Sequence, residues 1–233
     1  MDSLNLGRHI SGQFNEDLER VLNQVMHMGG LVEKQLGDAL TAVSDGDKEL
    51  AKKVHQNDYK INNMEVNIDD ECTRIIAKRQ PAAGDLRLIM AIIKTIADLE
   101  RIGDEVEKIA QVALTSVNKE QKDLLHNLDN LGRRVLEFLQ VTLDAFTRMD
   151  VDSAIKYHKS DEKVDREYEA LMRQLMTYMM EEPRTIPQIM DVIWSARALE
   201  RIGDRCQNIC EYIIYFVKGK NVRHVTLEDV QAL

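Results

Sequence analysis

The six residues Leu-Glu-Arg-Ile-Gly-Asp occur twice in this chain, at Leu99–Asp104 and at Leu199–Asp204. Each copy sets a glutamate four positions before an aspartate, Glu100 with Asp104 and Glu200 with Asp204. On an α-helix this spacing stacks two carboxylates on one face, about one turn apart. Two anions placed so repel each other unless something positive joins them, either a divalent metal ion or a basic surface. Oxygen-only ligand sets suit Mg, Mn or Fe, and Zn accepts carboxylates too. Asp161 and Asp165 repeat the four-residue spacing on the preceding helix and can complete the second site. The matching positions ahead of the first pair are Asp58 and Asn62. The amide of Asn62 is neutral and a weaker ligand, so the first site is expected to hold metal less tightly. Gly103 and Gly203 each cost about 1 kcal/mol relative to Ala inside a helix. Their expected use is to let a neighbouring backbone or a ligand approach closely.

Other readings of these acids stay open at this level: solvated side chains at the rim of a core, or salt bridges to a neighbouring helix. The matched pairs, each with glycine at the same offset, favour a binding role. An enzyme of the carboxylate-bridged metal type, ferritin-like, needs Glu-x-x-His pairs. None of His9, His27, His55, His126, His158 or His224 has Glu three residues before it. No Gly-rich phosphate loop, cysteine cluster or Ser-His-Asp set is evident, so the chain reads as a binding protein and not an enzyme. The histidines read as surface or packing residues, and Met172–Met180 as flexible core filling. Trp194 falls off the apolar stripe of its helix, near its polar side; packing against another helix is the favoured expectation, with a subunit contact as the alternative.

Six long helices are needed to position the acids, because the apolar pattern has helical period almost throughout. The first is read from Leu4 to Val43, with Ser44–Asp47 stopping it and capping the next. The second runs to Arg79, ahead of Pro81. The third covers residues 82–117, the fourth 119–149, and the fifth begins after Asp152 and ends before Pro183. The sixth starts near Thr185–Pro187, where Pro suits a first turn, and runs to Val217. Leu99, Ile102, Val106 and Ile109 form the core stripe of the third helix, with Glu100 and Asp104 at its edge. The second half repeats the first: Ala39-Leu40-Thr41 recurs as Ala145-Phe146-Thr147, and Asp58-x-x-Ile61 as Asp161-x-x-Val164. The expected fold is therefore all-α: two similar three-helix bundles of antiparallel neighbours, spanning 1–117 and 118–218, with a tail at 219–233 that holds a short helix from Thr226.

Composition narrows the partners. With 233 residues and a net charge of -9, nucleic acid is not expected. No stretch reaches the run of about 20 apolar residues that spans a bilayer, and the first residues lack the features of a signal peptide. A soluble cytoplasmic protein is expected, meeting membranes only through protein partners. The three cysteines do not form a disulfide framework, and Cys206 and Cys210 read as small residues on a buried stripe.

The paired Leu-Glu-Arg-Ile-Gly-Asp motifs, with Arg79-Gln80-Pro81 through Asp85-Leu86-Arg87, resemble those of the PhoU family. The opening Met1–Gly12 and Arg201–Glu211 look close to its enterobacterial and pseudomonad members, and the resemblance covers nearly the whole chain. It implies a cytoplasmic, non-catalytic negative regulator of the phosphate regulon that also modulates phosphate uptake, commonly a homodimer. It implies a two-component signalling link between the ATPase subunit of the phosphate ABC transporter and a PhoR-type sensor histidine kinase. It further implies metal binding by the acidic motifs, here Glu100, Asp104, Glu200 and Asp204, with Asp161 and Asp165 beside them. Iron, zinc, magnesium and manganese are all candidates.

Overall fold

A computed structural model describes residues 12–114 and 122–223. These residues form helices α1 (Gly12–Asp45), α2 (Lys48–Arg79), α3 (Ala83–Leu114), α4 (Lys122–Arg148), α5 (Val151–His158), α6 (Asp161–Glu181) and α7 (Ile186–Lys218), with one turn of 3-10 helix at Pro183–Thr185. The expected start of the first helix at Leu4, the junction at 117–118 and the helix from Thr226 lie outside the described residues.

Local chemistry sets the boundaries. Gly46 takes a positive φ, and the Asp47 carboxylate accepts the backbone N–H groups of Glu49 and Leu50, both at 3.0 Å. The same device recurs at Asp150, which accepts from the Ser153 N–H at 3.0 Å. These side chains satisfy donors that a helix start leaves open. The six-helix plan holds with one correction: the fifth helix is split into α5 and α6 by a turn at Lys159–Ser160. No proline or glycine marks that break. Around it α5 lies against α7 and α4, and local propensity does not reveal the break.

Helices α1, α2 and α3 pack on one another, and α4, α6 and α7 form the matching set, with α5 laid against α7 and α4. The halves join where α3 meets α7 and where α1 meets α4. Asp98 faces Tyr212, and Glu105 faces Arg201. Numbers rise on one helix as they fall on the other, so α3 and α7 are antiparallel. Leu99, Ile102, Val106 and Ile109 are fully buried, as are Leu199, Ile202, Cys206 and Ile209. Each fully buried Leu or Ile contributes roughly 1.5–3 kcal/mol, so the stripes fix which face of α3 and α7 remains for the acids. Cys206 and Cys210 are buried as expected. Trp194 is not packed, being 62 % exposed, and Met176 and Met180 are exposed rather than core filling. Trp194 lies off the apolar stripe as expected, but no helix among the described residues covers it.

Candidate metal centres

Each acid cluster is built from two antiparallel helices. In the second half α7 presents Glu200 and Asp204, and α6 brings Asp161 and Asp165 toward them. In the first half α3 presents Glu100 and Asp104, and α2 brings Asp58. The glycines explain how the helices come so near. A Cβ on Gly203 would stand 3.0 Å from Asp161 Oδ1 and 3.2 Å from Val164 Cγ1. A Cβ on Gly103 would stand 3.1 Å from Ile61 Cδ1 and 3.3 Å from Asp58 Oδ1. The close neighbours are therefore side chains, a carboxylate and an apolar group at each glycine, and not a backbone.

The acids are poorly compensated by protein groups. Asp161 is 6 % exposed and Asp58 is 9 % exposed. Asp161 Oδ1, Asp58 Oδ1 and Glu200 Oε2 are buried without a hydrogen-bond partner. A buried, unpaired carboxylate oxygen is costly unless something neutralises it. Burial, and then Asp165, Asp204 and Glu200, push the Asp161 carboxyl up to about 7. Burial and then Glu107 raise Asp58, burial and then Asp104 raise Glu100, burial and then Asp204 raise Glu200, and burial and then Asp165 raise Asp204. Among these six expected site residues and Asp58, the described ion pairs include one, from Arg197 Nη1 to Glu200 Oε1 at 2.6 Å. Salt bridges to a neighbouring helix thus account for little of the cluster.

Sequence reasoning missed two residues. Glu107, three positions after Asp104, turns to the same side, and the ligand oxygens of Asp58, Asp104 and Glu107 all lie within 4.8 Å of one another. Among the described residues this is the one such trio. It supplies the charge that Asn62 lacks, while the Asn62 side-chain N–H donates to Asp58 Oδ2 at 3.0 Å. The second missed residue is His55, whose Nδ1 contacts Glu107 Oε1. A sequence signal existed in the repeated His-x-x-Asp at His55–Asp58 and His158–Asp161.

The PhoU domain model of sequence families matches residues 25–113 and 128–213. The chain is 56 % identical over 233 residues to the phosphate-specific transport system accessory protein PhoU of Escherichia coli strain K12, covering all of this chain and 97 % of that one. It is 49 % identical over 223 residues to the PhoU homolog of Pseudomonas aeruginosa, covering 95 % and 92 % of the two chains. A crystal structure of PhoU from Pseudomonas aeruginosa superposes with a TM-score of 0.84 at 48 % identity, over 89 % of this chain and 100 % of that one. That of the phosphate transport system regulatory protein PhoU from Streptococcus pneumoniae gives 0.82 at 30 % identity, over 90 % and 99 %.

Proposed function

This chain belongs to the PhoU family, and from that premise we propose that it regulates phosphate transport by binding, not by turnover. Its relatives are named as accessory and regulatory proteins of phosphate transport. In the proposed role the protein works in the cytoplasm, as a homodimer, between the ATPase subunit of the phosphate ABC transporter and a PhoR-type sensor histidine kinase. It keeps the phosphate regulon off when phosphate is plentiful. No helix among the described residues is long and apolar enough to cross a membrane, so contact with a membrane system runs through partners.

The observation that carries the reading is the pair of acid clusters flanking the seam between α3 and α7, each with an orphaned, buried carboxylate oxygen. A divalent cation fits both: Asp58, Asp104, Glu107 and Glu100 would hold it in the first half, and Asp161, Asp165, Glu200 and Asp204 in the second. The ion would neutralise the mutual repulsion of the acids and tie α2 to α3 and α6 to α7. A regulator of this kind shifts a kinase toward one state only by binding that state more tightly. Metal-stiffened helices give the surface one fixed shape on which such a preference can rest.

The test pairs chemistry with physiology. Untagged protein and a variant carrying Glu100→Gln, Asp104→Asn, Glu200→Gln and Asp204→Asn are first shown to be equally helical. Elemental analysis should find metal in the first and not in the second, and the variant should fail to repress alkaline phosphatase in rich phosphate. A variant that folds, lacks metal and still represses removes the regulatory role of the clusters.

A further inference from the structure

Resting on the reading that these clusters hold cations, we propose that the two centres differ in kind. The first, built from His55, Asp58, Glu100, Asp104 and Glu107, is a mixed nitrogen and oxygen site that selects zinc-like ions. The second, built from Asp161, Asp165, Glu200 and Asp204, is an all-oxygen site suited to magnesium-like or manganese-like ions.

The duplication makes the comparison position by position. His55 matches His158, Asp58 matches Asp161, Asn62 matches Asp165, Asp104 matches Asp204, and Glu107 matches Gln207. The fourth carboxylate has changed helix: the second half carries it on α6 as Asp165, and the first half carries it on α3 as Glu107. Gln207 instead donates its side-chain N–H to the His158 carbonyl at 3.4 Å, bracing the turn between α5 and α6.

The histidines diverge for a geometric reason. In the first half α2 runs unbroken through His55 and Asp58. Residues three apart on a continuous helix share a face, so the imidazole sits at the rim of the acid trio against Glu107. In the second half the helix breaks at Lys159–Ser160, between His158 and Asp161. His158 ends α5, ahead of that turn. It is buried, with Nε2 facing Glu211 Oε1 at 3.4 Å on α7. The His55 side chain keeps 56 % of its surface in solvent and is free to turn a ring nitrogen toward an ion. Asp58 Oδ1, in the same trio, is buried and without a hydrogen-bond partner, an acceptor left open for a cation.

Imidazole nitrogen with carboxylate oxygens is a donor set that zinc and cobalt take readily. Carboxylates alone discriminate little in their favour and serve manganese and magnesium. Metal-free protein, His55→Gln and Asp165→Asn are titrated in turn with Zn2+, Co2+ and Mn2+, following heat and the visible absorption of bound Co2+. The expected result for His55→Gln is a loss of about tenfold or more in Zn2+ affinity at one class of site, an altered Co2+ spectrum, and Mn2+ binding within about threefold of the parent. Asp165→Asn should weaken Mn2+ binding at the other class and leave the Co2+ spectrum unchanged. Both positions are exposed, and circular dichroism should confirm equal helicity. Unchanged Zn2+ affinity in His55→Gln overturns the inference while leaving metal binding in place. Failure of the parent to bind any of the three ions overturns the inference and the reading beneath it.

Discussion

Asp161 Oδ1 lies 3.0 Å from where a Cβ on Gly203 would stand, so the acid occupies space that only a glycine on α7 leaves open. Gly203→Ala would gain about 1 kcal/mol of helix propensity, but Asp161 and Val164 must then give way. The two effects oppose, and denaturant unfolding is expected to shift by no more than about 1 kcal/mol in either direction. Metal affinity at the second centre should fall nonetheless, because the acid that must move is one of its proposed ligands. Gly30→Ala on α1 is the control. A Cβ there meets nothing within 4 Å, so this variant should bind metal as the parent does and gain about 0.5–1 kcal/mol of stability.

The raised carboxyl of Asp161 sets the pH dependence of the metal-free protein. Its pKa rises on folding, from 3.8 to about 7. Between those values the native state binds the proton more tightly than the unfolded state, so stability declines as pH climbs through that window. Asp58, Glu100, Glu200 and Asp204 shift in the same direction. Unfolding by urea should therefore show lower stability at pH 8 than at pH 5. Asp161→Asn should recover roughly 1–3 kcal/mol of it at pH 8 and flatten the slope. Saturating divalent metal should flatten the slope in the parent as well, and a parent whose metal-free form is most stable at pH 8 would contradict the assignment.

The opposite sign is expected at the end of the first bundle. Burial alone would raise the Asp17 carboxyl, but hydrogen bonds from Arg79 and Arg20 outweigh it and hold the group below its ordinary 3.8. Arg79 Nη2 donates to Asp17 Oδ2 at 2.9 Å, and Arg20 Nη2 bridges Asp17 and Glu71, so the cluster pins α1 to α2. This stabilisation is present above the unfolded value and is lost as pH falls through the lower, folded one. Asp17→Ala is expected to cost roughly 1–2 kcal/mol at pH 7. The cost should shrink at the acid end of a pH series, the reverse of the trend for Asp161→Asn.

The repeat, the helices and the acids were legible because they depend on local periodicity and identity within one helix. Leu99, Ile102, Val106 and Ile109 share a buried face whatever they pack against. The glycine offset signalled a close approach, although not which group approaches. Glu107 and His55 were hidden because their roles depend on the register of α2 against α3. A search for Glu-x-x-His could not find a His-x-x-Asp that works across two helices. The break at Lys159–Ser160 carries no Pro or Gly, so no local signal marks it. Trp194 falls off the apolar stripe by its spacing, but spacing within one helix does not say whether a neighbour covers that side.

The seam between the halves offers a final prediction, because one of its ties does not obey the duplication. The Tyr212 hydroxyl on α7 donates to Asp98 Oδ2 on α3 at 2.8 Å. The matching positions are Val112 and Ala198, which cannot repeat the bond. Asp98 is nearly inaccessible to water, and Arg101 Nη1 donates to its other oxygen at 3.2 Å. Burial and then the Asp98 charge raise the pKa of the phenol, keeping it protonated as the donor. Tyr212→Phe removes a hydrogen bond to a charged acceptor and should cost roughly 1.5–3 kcal/mol. Asp98→Ala should cost a similar amount, and the double variant should cost less than the sum by about 1 kcal/mol or more. Strict additivity would mean that the two side chains are not coupled across the seam. With coupling established, hydrogen exchange in Tyr212→Phe should rise first at the facing residues of α3 and α7, where the two bundles are joined.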